Sequence, residues 1–574
     1  MGLEFVIYTL ASCIFFMAIV AFISYQKTKG EVDTKDGYFL AGRGLTGIFI
    51  AGSMVLTNLS AEQLIGLNGS AYGYNMSSMA WEVTAGIATI VMALVFLPKY
   101  LSGAFSTLPE FLSDRFDDGV RRLTVVLFLV GYGLITIPSV LYAGSIAVLQ
   151  LFDVPALLNL SYSSSLVITI VAVGVIGSIY AVFGGLKAVA VSDTINGVGL
   201  LIIGITVPIF GFAALGDGSV SAGINQVLST HTEKLNAIGA PSDPTPFGTI
   251  FTGMIFANLF YWGTNQYVIQ RTLGAKNLAE GQKGVLYTGY FKLLVPFMMM
   301  LPGVIAFHLY GGELQSIDLA FPYLVKNVLP VYMSGFFLAV LLGAVFSSFN
   351  SLLHSAATLF VLDIYKPMQK TAVSDEKLIK VAKIASVIIA LFSFAAAPLL
   401  QYAPEGIFQI IRIFTGFYNI PVIAVVLVGL FTKRVPGIAA TIAIVFHIIA
   451  YGLLQFVIKV DINFLHIYAI LFFIEVSIML TIGYWKPLEK SWHYQHKDRV
   501  DMTPWAYALP TAITLFSGIV MLYVLFSPIG LVGGLSSLFW PVIIAVLISN
   551  IALCFISVKY WRSKYSERLH WNET

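Results

Sequence analysis

Apolar runs of about twenty residues, separated by short polar or glycine-containing stretches, recur along the whole chain. One helical crossing of a bilayer takes roughly 20 apolar residues. Fifteen candidate spans can be marked: 3–26, 44–70, 76–98, 122–150, 163–184, 189–215, 247–270, 284–309, 329–362, 378–400, 404–431, 435–457, 462–485, 505–527 and 535–558. They are numbered one to fifteen in chain order. Spans two, seven and nine break the pattern. In span two, LTGIFIAGSMVLT runs into NLSAEQLIGLNGSAYGYN, which sets Asn58, Ser60, Glu62, Gln63 and Asn68 among glycines. Span seven carries NLFYWGTNQ (258–266), and span nine carries GAVFSSFNSLLHSAAT (343–358). Irregular backbone survives at membrane depth only where protein or a water-filled cavity surrounds it. Two broken helices five spans apart point to a transporter binding site, because an unwound turn frees carbonyls for a cation and donors for a substrate. Spans two to six and seven to eleven then read as inverted repeats of five helices, since an odd number of crossings reverses direction.

Composition agrees with the pattern. The 574 residues are 58% hydrophobic and 11% charged, with a mean hydropathy of +0.87. A soluble domain carries about 25% charge, so an all-α integral membrane protein is predicted. No segment is long enough for a soluble catalytic or nucleic-acid-binding module, and neither enzyme activity nor an obligate protein partner is expected. Charge placement adds the orientation. With the N-terminus outside, 27 of the 32 Lys and Arg residues fall in inner segments and three (Lys234, Lys326 and Lys459) in outer loops. This is the positive-inside pattern, and it puts the C-terminus in the cytoplasm. The apolar N-terminus lacks a basic leader and reads as an uncleaved first helix. Cys13 and Cys554 lie in apolar runs and read as small core residues. Three regions follow: 1–43, a leading helix and inner loop; 44–432, a ten-helix core made of 44–215 and 247–432; and 433–574, further helices with a basic cytoplasmic tail.

Ionisable groups inside spans are costly and mark function by default. Those present are Glu62, Glu82, Asp193, Lys292, Arg412 and Glu475, with Gln63, Asn258, Asn265 and Gln266 beside them. Several have a plainer reading. Asp193 suits an interfacial cap or pair, Glu475 a structural pair in a peripheral helix, and His354 a satisfied core histidine. Ser347 and Ser348 suit close helix packing. Nowhere do His, Cys and carboxylates cluster at metal-ligand spacing.

The stretches NLSAEQLIGLNGSAYG, YAVFGGLKAV, NLFYWGTNQYVIQRTLGAK, QKGVLY, VFSSFNSLLHSAATLFVLDIYK and FTGFYNIPVIAVVLVGLFTKR, in this order over roughly residues 35–435, resemble the sodium/solute symporter family. The likeness is to its sodium/glucose and sodium/galactose cotransporter branch. The resemblance implies a leucine-transporter-type core of five plus five inverted helices, with a leading helix and extra C-terminal ones; span fifteen exceeds the fourteen it suggests. It also implies a Na+ site between spans two and nine, formed by the carbonyls of Leu56, Leu59 and Ala344 and the hydroxyls of Ser347 and Ser348. An all-oxygen cage without a carboxylate suits a hard cation. By the same resemblance Gln63, Glu82, Asn258 and Lys292 line a sugar site. Tyr261 closes it inward with Asn58 in support, and Leu67, Trp81 and Phe408 form the outer lid.

Two positions depart from the sugar pattern. Ala85 stands where a serine is expected, and Arg412 where a glutamine is expected. Arg412 lies about eight residues into span eleven, roughly 12 Å deep, too far in for an interfacial anchor. Either it grips an anionic group on an acidic sugar, or it pairs with Glu82 and leaves a neutral site. The expected function is sodium-coupled import of a sugar across the cell membrane by alternating access, with a neutral hexose such as glucose or galactose ahead of an acidic sugar. A rival of another class is a sensor that binds sugar and sodium without transporting them; a proton-coupled symporter using Asp193 or Glu82 is a third reading.

Overall fold

A computed structural model describes residues 3–28, 34–314, 316–402, 407–497 and 499–570, with backbone alone at 3, 150–151, 179–185, 407–410 and 570. The described residues are helical, with two isolated bridges, Leu45 to Ala275 and Asn277 to Asp501, and no strand among them. Eleven helices are long and apolar enough to cross a membrane, and thirteen if two bent pairs each count as one span.

The bent pairs are spans two and eight. Span two divides into Gly47–Asn58 and Ala61–Gly73, which meet at 59°. The turn between them has Leu59 at φ −80°, ψ 68° and Ser60 extended. Span eight divides into Leu278–Lys292 and Val295–Tyr310 at 49°. There Pro296 lacks the N–H that would bond the Lys292 carbonyl four residues back, which is a sufficient cause for the bend.

Spans five and seven fall outside the count for different reasons. Span seven is two short helices, Gly253–Gly263 and Gln266–Leu273, parted at Thr264 and Asn265. This is the break the sequence predicts. Spans five and six, expected as separate helices, form one helical run, Tyr162–Leu215. Its 54 residues far exceed the roughly 20 a crossing needs. Its two apolar arms are Tyr162–Ser178 and Leu186–Leu215. Both arms pack on span nine: a Cβ at Gly177 would meet Phe346, and one at Gly199 would meet Val340. The glycines set that close approach.

Span nine runs through the centre as Ser334–Leu359, with nearly every side chain buried. Basic residues assigned to the inner loops close helix ends, as cations near C-terminal carbonyls should. Arg115 donates from Nε to Gly429 O (2.9 Å), from Nη1 to Val435 O (3.1 Å) and from Nη2 to Thr432 O (3.0 Å), just beyond span eleven. Arg43 Nη1 donates to Leu273 O at the end of span seven (3.0 Å). These caps fix the ends of two helices that carry site residues. Span fifteen, Phe539–Leu569, packs on span fourteen and leaves most of its surface exposed.

Candidate functional site

The break in span two frees carbonyls that a helix would use. Ser60 N donates to Asn58 O (2.9 Å) instead of Leu56 O, and Leu59 N donates to Val55 O. Among the described residues no hydrogen bond ends on Leu56 O or Leu59 O. Thr57 O accepts from Ser348 Oγ (3.0 Å), which ties span nine to the turn. The neighbouring Ser347 Oγ is buried beside the Asp193 carboxylate. A buried hydroxyl and two carbonyls without donors meet the requirement of a hard, oxygen-seeking ion. The break in span seven is different. Its Gly263 O accepts from Tyr100 Oη (3.0 Å), and Asn265 Oδ1 accepts from Tyr132 Oη (2.6 Å). Two tyrosine hydroxyls thus reach the second break, while Tyr261 O and Trp262 O there accept no hydrogen bond among the described residues.

The expected substrate residues form a connected set. Lys292 Nζ donates to Glu82 Oε2 at 2.5 Å, and also to Asn58 Oδ1. Both ends of the Lys292–Glu82 pair are at most 3% exposed. With its amide assigned to suit its neighbours, Gln63 donates to Glu82 Oε1 (3.2 Å) and accepts from Arg412 Nη2 (2.5 Å). A chain of contacts therefore runs from Asn58, at the broken turn, through Lys292, Glu82 and Gln63 to Arg412. The direct partner of Glu82 is Lys292. The expected pairing of Glu82 with Arg412 is bridged by Gln63. Asn258 stands apart: its Nδ2 donates to Thr84 Oγ1 (2.9 Å). Thr84 supplies a hydroxyl beside Ala85, the position where a serine is expected.

A cavity against this chain is lined by Glu62, Gln63, Tyr261, Asn265, Arg412 and Asn419, among others. Glu62 was legible as a polar residue in span two but was not placed in the site; its position in the first turn of Ala61–Gly73 aims it there. Tyr261 Oη accepts from Tyr267 Oη (2.9 Å) beneath the cavity. Asn58, expected to support Tyr261, lies within hydrogen-bond reach of it and also accepts from Lys292. Trp81 lies under the Arg412 guanidinium, 4.7 Å from ring centroid to Cζ, and stacks on Phe464. Leu67 is fully buried. Phe408 lies in the helical backbone Ile407–Phe431, and its side chain is outside the described residues.

Asp193, read as an interfacial cap or pair, is fully buried. It accepts from Ser53 Oγ (2.6 Å), which accepts in turn from Arg271 Nε (3.1 Å). Arg271 also reaches Ser351 of span nine. The hydroxyl relay pairs the two buried charges across three helices. Glu475 has the structural pair expected of it, with His447 as partner. His354 packs against the Tyr38 ring at 5.2 Å.

A sequence model of the Sodium:solute symporter family matches residues 38–445. A relative from Escherichia coli K12, named Uncharacterized symporter YidK, is 42% identical over 96% of both chains. A Sodium/glucose cotransporter from Vibrio parahaemolyticus is 32% identical over 73% of this chain and 79% of its own. A human Sodium/myo-inositol cotransporter 2 is 30% identical over 73% of this chain and 65% of its own. A solved Na+-coupled sialic acid symporter matches with a TM-score of 0.73 at 20% identity, over 84% of this chain and 99% of that one. The fold is therefore the expected leucine-transporter type, and Na+ dependence is a property of the group. A broken span two, a hydroxyl-bearing span nine and a match over most of the chain agree: this protein belongs to the sodium:solute symporter family.

Proposed function

We propose that the chain is a sodium-driven symporter that brings a neutral sugar or polyol into the cell. The observation that carries this reading is the unbroken contact chain from the turn at Asn58 to Arg412. It links the oxygen-lined turn of span two to a polar cavity. The charges there balance: Lys292 offsets Glu82, and Glu62 shares the cavity with Arg412. A balanced site favours an uncharged ligand, since an added anion would have to displace an existing carboxylate. The relatives named for glucose and myo-inositol act on uncharged molecules.

In this reading the core is 44–432, as two inverted repeats, and the membrane is the cell membrane with the C-terminus inside. Na+ enters first, held by the carbonyls of Leu56, Leu59 and Ala344 and the hydroxyls of Ser347 and Ser348. It braces span two against span nine. That fixes Asn58, and through it Lys292, Glu82 and Gln63, in the geometry the sugar hydroxyls require. A site built for hydroxyls rejects analogues that lack them, because its own buried groups are left unpaired. Closure over Trp81 and Leu67, then opening past Tyr261, moves both solutes inward. Each charge moved down 100 mV supplies about 2.3 kcal/mol, roughly 50-fold accumulation before the sodium gradient is added.

A thermal-shift screen of the purified protein tests the substrate class. D-glucose, D-galactose and myo-inositol should raise the melting temperature in Na+ and not in K+, while sialic and glucuronic acids should not. Arg412→Gln should keep the neutral-sugar response with an affinity lowered about tenfold, the worth of one charge-assisted hydrogen bond. Stabilisation by the acidic sugars, lost in Arg412→Gln, would replace this reading with an acidic substrate gripped by Arg412.

A further inference from the structure

Three side chains from spans twelve and thirteen, outside the ten-helix core, donate to carbonyls in one turn of span eleven. Tyr468 Oη donates to Arg412 O at 2.6 Å. Tyr451 Oη donates to Ile413 O at 2.7 Å. His447 Nε2 faces Gly416 O at 3.0 Å, while its Nδ1 faces Glu475 Oε1. Both ring nitrogens thus meet oxygen acceptors. The His447–Glu475 pair must hold two protons, either on the two nitrogens or on Nε2 and Oε1. In both cases Nε2 carries a hydrogen and donates to Gly416 O.

Helical carbonyls already accept one bond each, so three extra donors in one turn are unusual and call for a reason. The turn is also tightly approached. A Cβ on Gly416 would lie 2.5 Å from Tyr468 Oη and 2.7 Å from Tyr451 Cζ. Just beyond, Pro421 removes the N–H that would bond Phe417 O, so span eleven is least self-supporting next to this turn. The same face of span thirteen reaches the lid: Phe464 stacks on Trp81, Tyr468 packs edge-on against Phe464, and Trp81 lies under the Arg412 guanidinium. The Arg412 side of the polar cavity and the Trp81 ring beneath that guanidinium therefore rest on one helix from outside the core.

We propose that Tyr468, Tyr451 and the His447–Glu475 pair are positioning residues for Arg412, so that the C-terminal helices set how tightly the substrate is held. The proposal rests on the reading of Arg412 as a substrate contact. Plain helix packing is the competing explanation, and it predicts a general loss of protein or of turnover. Positioning predicts a selective effect: the sugar KM rises while sodium half-saturation stays, because the sodium ligands lie on spans two and nine.

The test is Na+-driven uptake of labelled D-galactose and D-glucose by proteoliposomes holding the full chain. The variants are Tyr468→Phe, Tyr451→Phe and their double, each alone and combined with Arg412→Gln. Phenylalanine keeps the ring and removes only the donor. We expect the double variant to raise the sugar KM about five- to tenfold, with sodium half-saturation within about twofold and no further rise on the Arg412→Gln background. Gly416→Ala, which pushes the rings away from the turn, should act in the same direction. If the double is poorly produced, Tyr468→Phe alone is judged by the same criterion. An unchanged KM, a parallel shift in sodium and sugar, or an undiminished effect on the Arg412→Gln background overturns the proposal. If the parent takes up neither sugar, the substrate reading fails instead, and the two failures are distinct.

Discussion

Ser348→Ala should raise the sodium concentration for half-maximal uptake about 10- to 100-fold, at little cost in folding. The hydroxyl does two things at once. It bonds Thr57 O across the broken turn, and it stands beside Ser347, whose buried hydroxyl is the second one expected to hold the ion. A hydrogen-bonding group that serves a charge is worth roughly 1.5–3 kcal/mol, which converts to that range. The sugar should lose affinity as well, because the brace on span two also fixes Asn58 and Lys292. Ser348→Thr keeps the hydroxyl and should recover part of the loss. A Ser348→Ala protein with unchanged sodium dependence would remove the turn between spans two and nine as the ion site.

Lys292→Met should be the most damaging single change at the site. Lys292 is fully buried, and Glu82 is 2% exposed. Removing the lysine leaves a buried carboxylate without its cation, which costs about 3–5 kcal/mol. It also strips Asn58 of its donor and unhooks the turn from the substrate residues. The expected result is little monodisperse protein in detergent and no measurable uptake. Lys292→Met with Glu82→Gln removes both charges and should restore stability without restoring uptake, since Gln63 then loses the Glu82 carboxylate and keeps only Arg412. A single variant as stable as the parent would show that the pair is not what holds the two helices. Uptake by the double variant would show that the pair is structural only.

Much of this was legible in the sequence. Glycines and short polar side chains in an apolar run report a broken helix directly, and both breaks fall within the expected spans. Paired hydroxyls at Ser347 and Ser348 report a polar stripe on an otherwise greasy span. What the sequence could not report is who faces whom. Lys292 and Asn58 are 234 residues apart, and helix crossing geometry, absent from any periodicity, brings them together. For that reason Glu82 looked available to Arg412 when Lys292 already holds it. Asp193 was misplaced for a related reason. Its partner reaches it through Ser53, and a hydroxyl between two charges leaves no charge pattern to read. Spans five and six read as separate crossings because 163–215 is apolar for long enough to cross twice, yet one helical run covers both. Glu475 and His447 lie 28 residues apart on neighbouring helices, and a pair could be foreseen from cost alone, since an unpaired carboxylate would not persist there.

The central claim is that sodium entering at the broken turn of span two drives sugar across the membrane. Accumulation of labelled D-galactose and D-glucose in proteoliposomes tests it directly, with an inward sodium gradient and an interior-negative potential. The account predicts that one of these sugars rises above its outside concentration, that the rise needs Na+ and not K+ or a proton gradient, and that it collapses when the gradients are dissipated. Uptake that only equilibrates, or that proceeds equally without sodium, would contradict it; saturable sodium-dependent binding without accumulation would mark a sensor instead.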